Sequence, residues 1–432
     1  MFSFQLSLPR LKNFPKNTGL FQAFIATAAI ACITTAFAST PQPQNADLAI
    51  IFPAQKDIRI AAGDVSAPGR DAFLPASLVK LVENSFKETS VGDALSMENE
   101  FTDWTLVSAR VVPCSPLGVV PGSEANVLCW PEVRLVWQPI LKDFRRYAAI
   151  LPWFADDRAI HALYDVHPSI ALAGETAIRA QQVLEKVKAA LERNPTAAIS
   201  LITSDELNEF RAARDAVSDA LMKKALALRS EKIAAKEYSK VGERPEFNTQ
   251  EESVKFIARM KNFIAQTTSF AALKEMTSFS LPEGREPPQS DEWVFLKYLK
   301  QNGKMTQVDI TVASAIDGRE LINMGKAPKA SQMRDDPELH TALESMNSRD
   351  AEELKKHVLL SPQELAAKNE VINDRALSHV ANTTCGSCHK FNSLRFDFHN
   401  LSYLEDRTVS VSPRVKFDLL RDMEWLEQRK QR

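Results

Sequence analysis

The sequence predicts an α+β fold, mainly helical, with a β-containing N-terminal region, central helices, a β-hairpin and a helical C-terminal module. Three observations predict it. Glycine is scarce, 13 residues in 432. Apolar–polar alternation is confined to short runs around 105–112 and 133–137 and to a hairpin signal near 294–312. The stretch from about 143 to 280 is instead rich in Ala, Leu, Lys, Arg and Glu, residues that lose little freedom in a helix.

The chain opens on a leader, residues 1–38. Arg10, Lys12 and Lys16 form a basic start, Gly19 to Thr35 is apolar and small-rich, and Ala36-Phe37-Ala38 offers an A-x-A cleavage site before Ser39. An uncleaved anchor and a lipid-bearing Cys32 are the competing readings. Cleavage leaves no later stretch long and apolar enough to span a membrane. It moves the net charge from −2 to −5, since the three basic residues leave with it. No basic block remains of the kind that tracks phosphates, so nucleic acid is not an expected partner. The expected compartment is the periplasm, and the product is exported and secreted across the inner membrane.

The length suggests two or three domains. With 44% hydrophobic and 25% charged residues, a sizeable core can be buried. No internal repeat period is visible.

Elements follow in order. Ala49 to Phe52 and Ile58 to Ile60 read as short strands. Thr105 to Val112 and Val133 to Trp137 alternate as strands, separated by a loop holding Pro116, Gly118, Pro121 and Gly122. Cys114 and Cys129 flank that loop, and a disulfide between them is expected, contributing about 3 kcal/mol by loop closure. From 143 to 280 the reading is helical. Thr203-Ser204-Asp205-Glu206 carries capping residues and acidic charge for a helix start. A second helix is expected over Glu251 to Gln266, with Val254, Ile257, Met260 and Ile264 on one face. Val294 to Leu299 and Val308 to Val312 read as a hairpin about Asn302-Gly303, because both turn residues tolerate positive φ. Residues 326–349 read as a linker. Helix starts follow at Ser361-Pro362 and Ser412-Pro413, the latter with Val415, Leu419, Met423 and Leu426 on one face. The domain reading is a leader (1–38), α+β domain or domains of unassigned role (39–325), the linker (326–349) and a helical module (350–432).

Cysteine usage divides the chemistry. Five cysteines less Cys32 leave Cys114, Cys129, Cys385 and Cys388, and idle thiols are disfavoured in an oxidising compartment. Cys385-Gly386-Ser387-Cys388-His389 is C-x-x-C-H. Two thiols at this spacing reach the two vinyl groups of one porphyrin edge, and the adjacent imidazole falls under the iron. A redox C-x-x-C, a zinc site and a structural disulfide are the competing readings.

At these residues the chain resembles the c-type cytochromes. The resemblance covers about the last 70 residues: a helix ending near Ala381, the motif, an aromatic-rich loop and a final helix, in an order similar to the compact class I module. It implies one covalent haem c, an iron centre with His389 as proximal ligand, a final helix crossing the one before the motif, and electron transfer to a redox partner protein. Phe391, Leu394, Phe396, Phe398, Leu401 and Tyr403 would line the haem. The chain departs from the family in having no Met between His389 and Met423. The sixth ligand is then His399, Met423, one of His340, His357 and His379, or no side chain at all. A six-coordinate iron favours electron transfer; an open site permits ligand or peroxide chemistry, so a haem-dependent enzyme and a protein with a mainly structural haem stand as alternatives.

Ser77-Leu78-Val79-Lys80 is S-x-x-K and resembles the nucleophile motif of penicillin-interacting serine enzymes, but their further motifs are absent, and an exposed helix start is expected instead. His161 and His167, six apart in a stretch read as helical, do not share a helix face.

Overall fold

The computed structural model describes residues 41–53, 59–65, 71–87, 104–117, 127–139, 159–194, 198–280, 294–308, 315–316, 319–320 and 413–431. A seven-stranded antiparallel sheet organises it, and its strands lie in chain order: β1 (Ala49–Ile51), β2 (Trp104–Pro116), β3 (Cys129–Pro139), β4 (Ala159–Asp165), β5 (Leu273–Ser280), β6 (Val294–Gln301) and β7 (Lys304–Val308). Two short strands, Ala315–Ile316 and Arg319–Glu320, pair separately. Helix α1 (Asn45–Leu48) leads into β1, and α2 (Ala76–Lys87) precedes β2. Helices α3 (Gly174–Arg193), α4 (Ser204–Leu226) and α5 (Gln250–Thr267) lie between β4 and β5. Helix α6 (Pro413–Lys430) closes the described chain.

This sheet overturns the mainly helical expectation, with its separate N-terminal β region and isolated hairpin. The two join through β4 and β5, which lie inside the stretch read as helical. Leu163 pairs with Glu275 and Tyr164 with Leu273, over a hundred residues away. Such pairing leaves no local trace beyond alternation, and β4 (Ala-Ile-His-Ala-Leu-Tyr-Asp) alternates weakly because both its faces are largely buried.

Strand alternation separates the two faces of the sheet. Ala109, Val111, Val133, Leu135, Trp137, Ile160, Ala162, Met276 and Tyr298 are buried on one side and join the main core. Arg110, Glu132, Arg134, His161 and Asp165 project to the other.

Several local signals are realised as physics requires. Thr203 caps α4: its hydroxyl accepts from the Glu206 amide while Glu206 reaches back to the Thr203 N–H. Asn302 and Gly303 turn the β6–β7 hairpin with φ of 50° and 77°. In α5 the buried face is Phe256, Met260, Phe263 and Ile264, whereas Val254 is exposed, so the face lies beside the one expected from Val254 and Ile257. Ile60 forms no strand; its carbonyl accepts from the Leu106 amide and the Thr105 hydroxyl.

A buried polar knot fastens α1. Asp47 pairs with Arg229, and Arg244 forms two bonds of 3.0 Å to Glu246 and one of 3.1 Å to the Ala46 carbonyl. The Tyr238 hydroxyl donates to Glu246 at 2.8 Å and accepts from the Ser230 amide at 2.9 Å. Both guanidinium groups lie about a ring's depth from Tyr238, at 4.9 and 5.0 Å from its centroid. Burial, with Glu246 adding to it, pushes the Tyr238 hydroxyl up to about 12.

Helix α6 belongs to the same compact unit as the sheet. Leu419, Trp425 and Leu426 enter the main core, with Val415 and Met423 packed partly buried against it. Among the described residues no helix is long and apolar enough to cross a membrane.

Candidate functional site

Cys385, Cys388, His389 and His399, with His340, His357 and His379, lie outside the described residues. Met423, the remaining candidate ligand, packs on the core of the sheet domain through α6. Cys114 and Cys129 are joined as a disulfide at the end of the β2–β3 hairpin, where Pro116 pairs with Cys129. Ser77 and Lys80 are both exposed at the start of α2. His161 sits on β4 rather than on a helix, and His167 caps a short 3-10 turn through the Ser169 amide. The helical placement of this pair is therefore corrected, and the two imidazoles occupy different elements.

The described residues bring together a different constellation, a run of charge across the sheet that is buried at Asp422, Arg110, Glu132 and Asp165 and opens toward solvent at Lys188 and Glu185. It starts on α6, where Asp422 accepts from Arg110 of β2 at 2.6 Å. Arg110 stands directly opposite Arg134 of β3. Arg134 pairs with Glu132, two residues back on the same face. Lys274 of β5 then bridges Glu132 at 2.5 Å and Asp165 at 3.1 Å. Lys188 of α3 bridges Asp165 at 2.9 Å and Glu185 at 3.0 Å. Acid and base alternate along most of the path.

Burial and pairing set the ionisation of these groups. Burial alone would raise the Glu132 carboxyl, but Arg134 and Lys274 outweigh it and hold it down at about 2. Burial likewise opposes the Lys274 charge, and Asp165 and Glu132 more than restore it. His161 is pushed down to about 4, by burial first and by Arg134 second, so its imidazole is neutral at pH 7. At Asp422 burial wins and the carboxyl is raised, with Arg110 and Arg421 pulling the other way.

The path ends at a cleft of about 690 Å³ lined by Asp165, Glu185, Lys188, Lys274 and Lys300, among others. Asp165, Glu185, Lys188 and Lys274 are committed to one another or to Glu132. Lys300 donates to the Phe270 and Ala271 carbonyls at 2.7 and 2.8 Å. Neither Glu132 nor His161 is moved toward neutrality, where a general acid or base works best. The arrangement fixes an electrostatic frame beside the cleft, and His167 also lines it. Among the described residues no three His, Cys, Asp or Glu side chains are grouped to hold a metal ion.

The sequence reading missed Arg110, Glu132, Arg134, Asp165, Lys188, Lys274 and Asp422. The available signal was the Glu132/Arg134 pair inside an otherwise apolar run, which reads equally well as a solvated strand face. No protein-family model, curated protein or solved structure matches the chain.

Proposed function

We propose that the chain is an exported, periplasmic monohaem protein of c-type cytochrome character that passes electrons to a redox partner protein. The observation that carries the reading is Cys385-Gly386-Ser387-Cys388-His389. The cysteine inventory supports it. Cys114 and Cys129 are committed to each other, and Cys32 leaves with the leader, so Cys385 and Cys388 are the pair left for another task.

In this reading Cys385 and Cys388 form thioether bonds to the porphyrin, and His389 supplies the proximal nitrogen. The haem contributes one-electron exchange. His399, ten residues on, is within reach of the opposite side by chain length and is the proposed sixth ligand. The aromatic run from Phe391 to Tyr403 would exclude water around it, favouring the reduced iron's lower charge.

Co-expression with haem-attachment machinery tests this. A pyridine haemochrome spectrum of c type is expected, lost in Cys385→Ala/Cys388→Ala. A colourless, zinc-loaded product overturns it.

A further inference from the structure

We infer that the second face of the sheet is the docking surface for the chain's own residues 309–412, the segment that holds Cys385, Cys388 and His389. The haem of that segment rests on the function proposed above; its place on the sheet rests on the sheet alone.

Both faces of the central strands are closed. On the first face Leu135, Ala162 and Met276 join the main core with Val79 of α2, Val217 of α4 and Met260 of α5. On the second face the register sets Val136 opposite Ser108 and His161, and Leu163 opposite Arg134 and Glu275. Val136 and Leu163 are 7% and 9% exposed, and Val112, opposite Glu132, is 1% exposed. None of these three belongs to the main core. A sheet buried on both faces needs a layer on each. Toward β6 the second face is less covered, and Thr277, Lys297 and Leu299 are half-buried.

The path of the chain names the occupant. It leaves the sheet at Val308, the end of β7, the last strand. It returns as α6, whose Asp422 pairs with Arg110 of β2 on the second face. Asp418, one turn earlier, joins Asp422 in acting on Arg134 of β3. From β7 to β2 is five strand spacings, about 24 Å. The first face is taken by α2, α4 and α5, so the open route lies across the second. About eight extended residues would make that crossing, and the segment leaves many times that for a layer. The ion pairs at Arg110 and Arg134 are then the end of a longer contact made by one stretch of chain. The aromatic run from Phe391 to Tyr403 comes shortly before α6 and brings apolar surface to match Val136 and Leu163.

Residues 88–103, 140–158 and 281–293 are competing covers. All three meet the strands at one end of the sheet, at Trp104, Pro139, Ala159, Ser280 and Val294. The burial extends past Leu163 to Val112, toward the opposite end. With residues 309–412 seated there, the sheet domain is the platform that holds the haem segment in one orientation and leaves its outer side to the partner protein.

Amine crosslinking of the whole exported chain, read by mass spectrometry, tests the docking. Lys297 stands on the second face opposite Thr277, with its side chain partly exposed. Crosslinks from Lys297 to Lys368 or Lys390 are expected. Crosslinks from Lys297 to Lys142 alone, or to no lysine beyond residue 350, overturn the proposal. Leu163 is buried, so Thr277→Arg, at a half-buried position, is the variant; hydrogen exchange in peptides from 360–412 should rise about tenfold or more, with β2 and β3 unchanged. Exchange that stays as slow as in the wild type also overturns it. A c-type haemochrome spectrum without the crosslinks keeps the haem and removes the docking; the crosslinks in a haem-free chain do the reverse.

Discussion

Arg110 and Arg134 face each other across the β2–β3 ladder, two guanidinium groups directly opposed on one face of one hairpin. Like charges in that position repel. The fold tolerates them because each has its own acid: Asp422 arrives from α6, and Glu132 lies two residues along β3. The last described helix is thus an electrostatic requirement of the second strand.

Removing that acid should be expensive. Asp422→Ala leaves Arg110 buried beside Arg134 with its close partner gone, and a loss of about 3–5 kcal/mol is expected in urea denaturation. Replacing both partners with apolar side chains, as Arg110→Met/Asp422→Leu, should cost far less, because no buried charge is then stranded. Equal losses in the two variants would show that the helix is held by Leu419, Trp425 and Leu426 alone.

Acid should erode stability in two steps. The first concerns His161, held at about 4 against an ordinary 6.5. Between these values the unfolded chain binds the proton and the folded chain does not, so stability falls as pH drops from 6.5 to 4. The second concerns Glu132, at about 2 against an ordinary 4.5. Its contribution is complete above pH 4.5 and is lost as pH falls through 2; the shift corresponds to about 3 kcal/mol. Denaturation midpoints measured from pH 7 to 2 should lose their upper slope in His161→Gln and their lower slope in Glu132→Gln.

The Cys114–Cys129 bridge closes a loop of 15 residues in sequence separation. Cys114→Ala/Cys129→Ala should lower unfolding free energy by about 3 kcal/mol. Reductant should then have little further effect on the variant's urea midpoint while lowering that of the wild type. The haem attachment proposed at Cys385 and Cys388 should be unaffected.

The sixth ligand can be read from spin state. With His399 on the iron, the oxidised protein is low-spin, and His399→Ala should convert its electron paramagnetic resonance signal to high-spin. An unchanged low-spin signal would remove His399 from the role, and a high-spin wild type would establish an open site.

What was legible in the sequence was local chemistry. The Thr203 cap, the Asn302-Gly303 turn, the alternation of Val133 to Trp137 and the cysteines flanking one loop each act within a few residues, and each is found in place. What was not legible depended on distant partners. Nothing around Ala159 to Asp165 announces that Leu273 to Ser280 will pair with it. The charges of β3 could pass for a solvated face because Lys274, which pairs with Glu132, and the α6 acids that act on Arg134 come from elsewhere in the chain. In α5 the large Phe256 and Phe263 outcompeted Val254 for the core, a choice that helical spacing alone does not make.

Ala49 of the first strand is registered opposite Arg110, and Asp422 of the last described helix pairs with that same arginine. A chain made N-terminus first therefore has β1 early and the counterion of Arg110 only 312 residues after that arginine. Until residue 422 is made, the β2–β3 hairpin carries an unanswered positive charge on a surface meant for burial. The domain can begin to assemble during synthesis, but this hairpin locks only once α6 is present.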